Sequence, residues 1–174
     1  MLRNITFGLL VIIAYLIQTT FGSQISLGGV SPNLVIIVVC MYSLLRGRRA
    51  GMIFGFCAGL LLDVFYGYGD VIGINALIYM YIGLVNGFFY DSIYIKSYHV
   101  PIISVFFSDF AYLFVFYVIT FLLRNKLNIG YYLNNIMIPE VVYTVFVTLL
   151  TYKLYVWLEE RFIAFEQRGE TKVD

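Results

Sequence analysis

Arg46-Gly47-Arg48-Arg49-Ala50-Gly51-Met52-Ile53-Phe54-Gly55-Phe56-Cys57-Ala58-Gly59-Leu60-Leu61-Leu62-Asp63 is a basic cluster that runs directly into an apolar segment. Glycine recurs there at every fourth position, and a carboxylate closes the run. Arginines beside an apolar helix mark the cytoplasmic side of a membrane. Glycines four apart let a second helix approach closely. A carboxylate at the end of an apolar helix needs a partner or water, because lipid solvates charge poorly. One stretch thus predicts topology, a packing face and a polar site.

The whole chain agrees with a membrane setting. Its 174 residues are 61% hydrophobic and 12% charged, and the mean hydropathy is +0.89. A soluble domain carries about 25% charged residues. This chain has too much apolar surface to hide inside itself. The net charge of +1 argues against a nucleic-acid partner. Cys40 and Cys57 both sit in apolar runs with no ligand spacing around them, so buried, unpaired thiols are expected and no metal or disulfide. The start, Met-Leu-Arg-Asn before an apolar run, has the form of a signal peptide but no A-x-A-like cleavage site, and is read as an uncleaved first span.

A spanning helix needs about 20 mostly apolar residues. Six segments can be drawn, at about 5–20, 32–45, 51–66, 71–90, 100–123 and 136–158. The predicted fold is an all-α integral membrane protein of six transmembrane helices. Residues 1–160 form the polytopic domain, and 161–174 form a polar cytoplasmic tail. Spans two and three are short, and shelter among longer helices is expected of them. Ser31 is a candidate cap for span two, with Pro32 in its first turn. Asn134 or Asn135 is a candidate cap for span six, with Pro139 in its first turn. Tyr66-Gly67-Tyr68-Gly69-Asp70 reads as a turn. Arg3, Arg46, Arg48, Arg49, Lys96, Arg161, Arg168 and Lys172 fall on one side of a six-span chain, and only Arg124 and Lys126 on the other. Both termini are therefore expected inside.

Few residues in the spans could carry chemistry. The Gly51, Gly55, Gly59 ridge fits either packing within the chain or docking of a partner helix. Asp63, near the end of span three, is either solvated or an anchor for Asn75 or a tyrosine hydroxyl. Asp109 lies roughly 13 Å into span five at about 1.5 Å per residue. It must face the bundle interior, with Ser104, Ser108, Asn75 or Asn86 as candidate partners. Glu140 follows Pro139, where a helix N-terminal dipole favours a carboxylate. His99 stands alone and is no metal site. Asn75 and Asn86 offer amides to neighbouring helices. No HExxH, GxSxG or P-loop is present, and no carboxylate pair stands at helical spacing from His or Lys. Neither an enzyme nor a cofactor is expected.

The chain resembles the bacterial rod-shape-determining MreD family over its whole length in span pattern, most closely from Pro32 to Ala76. Pro32-Asn33 opens span two. Arg46-Gly47-Arg48-Arg49 forms an arginine-rich tip. Gly51, Gly55, Gly59, Leu60 and Asp63 match Gly-x-x-x-Gly-x-x-x-Gly-Leu-x-x-Asp, and Gly73, Asn75 and Ala76 match Gly-x-Asn-Ala. The carboxyl half matches by hydropathy alone.

The resemblance implies a non-enzymatic inner-membrane subunit of the peptidoglycan elongation machinery. It implies association with the bitopic protein MreC and, through it, with a class B penicillin-binding transpeptidase and the polymerase RodA. The actin-like MreB would lie on the cytoplasmic face. It also implies a fold like the six-helix substrate-binding components of energy-coupling-factor vitamin transporters. The expected docking residues are Gly51, Gly55, Gly59, Arg46, Arg48 and Arg49, with anionic lipid headgroups also meeting the tip. The expected buried polar anchors are Asp63, Asn75, Asn86, Asp109 and Glu140. A rival reading is a small-molecule-binding component of a vitamin transporter, with Asp109, Asn75 and Asn86 as pocket groups. Against it, span one lacks an A-x-x-x-A docking stripe.

Overall fold

The computed structural model describes residues 2–26, 29–66, 73–90, 99–120 and 129–170. Gly67, Gly69, Asp70, Lys96, Arg124, Lys126 and Lys172 lie outside them. The described residues form helices α1 (Leu2–Thr20), α2 (Gly22–Ile25), α3 (Leu34–Arg46), α4 (Arg48–Tyr66), α5 (Ile74–Gly87), α6 (His99–Thr120), α7 (Ile129–Tyr132) and α8 (Ile138–Glu170). The π-helical stretch Leu133–Met137 joins α7 to α8.

Helix α3 is the axis of the bundle. It touches α1, α4, α5, α6 and α8, and every residue from Val35 to Leu44 is buried. A helix apolar on all sides belongs inside, and this one is sheltered by its neighbours despite its 13 residues. Gly47 alone connects α3 to α4, at φ +80°. Its N–H donates to the Ser43 carbonyl. A left-handed residue of this kind ends a helix most readily when it has no Cβ.

The tightest seam runs between α4 and α5. A Cβ placed on Gly51 would stand 2.6 Å from the Gly83 carbonyl oxygen. On Gly55 it would collide with the Tyr79 carbonyl, and on Gly59 with the backbone of Asn75 and Ala76. Each step of four up α4 is matched by a step of four down α5, so the helices are antiparallel and in backbone contact. Gly83 and Gly87 supply the reciprocal half of the seam, and Gly87 faces the backbone of Gly47 and Arg48.

Elsewhere aromatic rings fill the space. Phe7 meets Tyr42 edge-on at 5.1 Å, and Tyr42 stacks on Phe54 at 4.0 Å. These contacts tie α1, α3 and α4 together near the arginine tip.

Several element ends differ from the sequence expectation. Asn33, not Ser31, caps α3, and Pro32 lies outside the helix. The last helical rod begins at Ile129, so Asn134 and Asn135 lie within it and cap nothing at its start. Pro139 has no N–H, and its ring crowds the carbonyl four residues back. The π stretch just before it widens the turn: the Ile138 N–H reaches the Leu133 carbonyl. Glu140 is consequently inside a continuous rod rather than at a helix N-terminus, and the dipole account of it falls. Helix α8 has 33 residues, about 50 Å at roughly 1.5 Å each. It runs well past a hydrocarbon core of about 30 Å. The tail expected from residue 161 continues the helix to Glu170.

The outer faces are apolar. Leu150 is 68% exposed and Phe107 64%. His99–Ile119 and Gly130–Ala164 are long and apolar enough to cross a membrane, while Asn4–Thr20, Leu34–Arg46 and Ile74–Gly87 are apolar but shorter. Cys40 is buried, as expected, but Cys57 is exposed on the outward side of α4.

Candidate functional site

The polar groups gather at the end of the bundle opposite the arginine tip. There α3, α5 and α8 begin their buried lengths and α1 and α6 finish. Asn33 is the hub. Its Oδ1 accepts from the Ile36 N–H at 3.2 Å, closing the first turn of α3. The same oxygen accepts from the Tyr79 hydroxyl of α5 at 3.1 Å. The Asn33 N–H donates to Thr144 Oγ1 of α8 at 3.1 Å, and the Leu34 N–H donates to Gln18 Oε1 of α1 at 3.1 Å. A helix start leaves unpaired N–H groups that lipid cannot satisfy. Here three side chains from three elements satisfy them.

Asp63 performs the same service for α5. Its carboxylate accepts from the N–H groups of Gly73 at 3.0 Å, Asn75 at 3.2 Å and Ala76 at 2.9 Å, and from Asn75 Nδ2 at 2.9 Å. A negative group at a helix N-terminus is favoured by the helix dipole as well as by the bonds. Gly73 makes the geometry possible: its φ of +110° turns the backbone N–H toward the carboxylate. Asn75 passes the connection on, because its Oδ1 accepts from the Tyr112 hydroxyl of α6 at 3.2 Å. The rings of Tyr79 and Tyr112 meet edge-on at 5.4 Å.

This end of the bundle holds a cavity of about 450 Å³, whose lining includes Tyr15, Gln18, Asn33, Asn75, Tyr79, Tyr112, Phe116, Tyr132 and Glu140. Asp109 stands behind its wall. The residue is wholly buried, and neither carboxylate oxygen has a hydrogen-bond partner. It faces Asn33 and Thr144 and lies within electrostatic reach of Glu140.

The expected anchors thus separate into four groups, one of them Glu140, which is half-buried on the cavity lining. Asp63 and Asn75 are brought together, in the stronger of the two arrangements considered for Asp63. Asn86 belongs to a different layer, donating to Ser108 Oγ at 2.8 Å and to the Ile82 carbonyl at 2.8 Å. Asp109 is joined to none of Ser104, Ser108, Asn75 or Asn86. Its neighbour Ser108 takes the Asn86 amide, while Asp109 turns the other way, toward α3 and α8.

The docking expectation for Gly51, Gly55 and Gly59 is corrected as well: α5 fills that ridge, so no partner helix can enter it. Arg48 and Arg49 remain exposed at the tip, with the Arg48 guanidinium 4.7 Å from the centre of the Phe88 ring. Arg46 is half-buried, with its Nε inaccessible and unpaired.

Asn33, Tyr79, Tyr112 and Thr144 were absent from the expected site. Pro-Asn before an apolar run is a legible cap signal. Gly83-x-x-x-Gly87 is equally legible as the second half of a glycine seam. Nothing local marks Tyr79, Tyr112 or Thr144 among the many aromatic and hydroxyl residues of the spans.

A family model described as rod shape-determining protein MreD matches residues 1–162. No curated protein and no solved structure matches the chain. The match takes in the arginine tip, the glycine seam, the Asp63 clasp and the helices around the cavity; the chain belongs to the MreD family of cell-shape-determining membrane proteins.

Proposed function

We propose that this protein is a non-enzymatic scaffold subunit of the peptidoglycan elongation machinery. It is a multi-pass protein of the bacterial cytoplasmic membrane, six-spanning, with both termini inside. It docks an MreC-type bitopic protein and thereby modulates the RodA–transpeptidase synthase, with MreB filaments and anionic lipids on the cytoplasmic side. The family match over residues 1–162 carries this reading.

The layout of the surface supports it. The glycine seam and the Asp63 clasp hold α4 to α5 and leave two kinds of surface for partners. One is the exposed Arg48–Arg49 tip. The other is the apolar outer face of α6 and α8, including Phe107, Phe114, Val142 and Leu150. In lipid, such a face binds another helix through packing rather than through hydrophobic drive.

Capture of the MreC-type protein from co-expressing membranes tests the reading. The double variant Arg48→Glu with Arg49→Glu, and separately Leu150→Trp, should each reduce capture while the protein stays inserted and monodisperse. Capture at wild-type level in both would overturn docking through these surfaces. For topology, an alkaline-phosphatase fusion after Asp174 should be inactive, and activity would refute an internal carboxyl end.

A further inference from the structure

The cavity at the outer end of the bundle has a lining with a definite chemical preference. Tyr15, Tyr79, Tyr112, Tyr132 and Phe116 supply aromatic surface, and Glu140 supplies a carboxyl group. Among the described residues, no lysine or arginine lines the cavity. Asp109, wholly buried behind the wall and with both carboxyl oxygens unpartnered, stands within electrostatic reach of Glu140. The rings are held in place. The Tyr79 hydroxyl is tied to Asn33 and the Tyr112 hydroxyl to Asn75. Tyr112 stacks toward Phe116 at 6.1 Å, and Tyr132 packs on Tyr117 at 4.9 Å. Aromatic faces carry a negative quadrupole that attracts a cation, most strongly where water is excluded. Carboxyl groups in a low-dielectric wall gain from a positive charge beside them, because it favours their ionised forms. The volume of about 450 Å³ is in the range of small-molecule sites.

We propose that this cavity binds an organic ammonium group, seated on the tyrosine cage beside the Glu140 carboxyl group. The group reaches the cavity either on a free amine or as the headgroup of an aminophospholipid, since the cavity lies at the end remote from the arginine tip and among lipid-facing helices. The inference stands apart from partner docking and survives or fails independently of it.

The test uses the full-length protein in nanodiscs of two compositions, phosphatidylglycerol alone and phosphatidylglycerol with phosphatidylethanolamine. Radiolabelled choline is the free-amine probe. Native mass spectrometry of lipid retained after detergent extraction is the headgroup probe. Saturable choline binding in phosphatidylglycerol discs identifies a free amine. Selective retention of phosphatidylethanolamine, without choline binding, identifies a lipid headgroup. Neither signal overturns the proposal. A neutral tert-butyl analogue of choline should fail to compete, and equal competition would show that charge is not read. Tyr132→Phe should bind like wild type, whereas Tyr132→Leu should weaken binding about two- to thirtyfold, the range of one cation–π contact. Glu140→Gln should weaken it at least as much. Equal binding by all three variants would also overturn the proposal. Because the neutral competitor requires no variant, a misfolded Glu140→Gln leaves the test intact.

Discussion

The α4–α5 seam and the α6–α8 wall both hold apolar helices together where hydrophobic drive is absent, and they do so by different means. The seam uses close approach. Gly51, Gly55 and Gly59 face Gly83, Tyr79 and the Asn75–Ala76 backbone with no side chain between, and Asp63 closes its open end with four accepted hydrogen bonds. The wall uses bulk and leaves a polar deficit. Its helices pack through Leu113, Tyr117, Met137 and Val141, enclose Asp109 without a partner, and stand beside a cavity of about 450 Å³. Two buried acids in one bundle therefore play opposite parts. Asp63 is satisfied and structural. Asp109 is unsatisfied, with Asn33 and Thr144 its neighbours. A fully satisfied polar cluster rigidifies its surroundings, whereas a partly satisfied one stores an energetic deficit.

Breaking the seam should have the largest effect. Gly55→Leu drives a branched side chain into the Tyr79 carbonyl and should destabilise by about 3 kcal/mol or more, since backbone cannot yield as a side chain does. Thermal unfolding in detergent checks it, with Gly8→Leu as the control, because nothing lies within 4 Å of a Cβ there. An unchanged midpoint for Gly55→Leu would mean that the helices do not meet along this ridge.

The two acids provide a sharper comparison, because one substitution should act with opposite sign. Asp63→Asn replaces a charged acceptor of four bonds and should lose about 2 kcal/mol. Asp109→Asn removes a buried, unpartnered carboxylate and should gain about 1 kcal/mol. Destabilisation by both variants would reveal a partner for Asp109 and erase the distinction.

Smaller effects refine the picture. Tyr79→Phe deletes one bond to Asn33, leaves α3 capped through Ile36, and should cost about 1 kcal/mol. Arg48→Ala removes a guanidinium from the Phe88 ring at the exposed tip and should cost about 0.5 kcal/mol, read as a slight fall in the same midpoint. A fall larger than that of Asp63→Asn would move the structural centre of the hairpin to the tip.

Much of the seam is legible in the sequence. Glycines at a spacing of four announce a close helix contact because no other residue permits it, and Gly73 with Asn75 announces the start of the helix that makes the contact. The identity of the contacting helix is not readable, and this is why a docking role for Gly51, Gly55 and Gly59 stands open beside the favoured packing within the chain. The cap of α3 was missed by two residues, since Ser31 and Asn33 are both competent acceptors and only the path of the chain chooses. The rod from Ile129 was cut too late because Pro139 signals a helix start, whereas a π turn absorbs it here.

The sequence alone determined the solvent, the helical class, the cationic tip and the existence of the glycine seam, because each depends on residue type and local spacing. Tertiary structure decided which faces turn inward. In a membrane the lipid side and the core side are both apolar, so hydropathy cannot tell Phe107, exposed to the surroundings, from Val105, fully buried two residues away. The pairing of Asp63 with the start of α5, the orphaning of Asp109 and the gathering of tyrosines around one cavity all follow from that choice of face. They arise between helices distant in the chain, where no local pattern reaches.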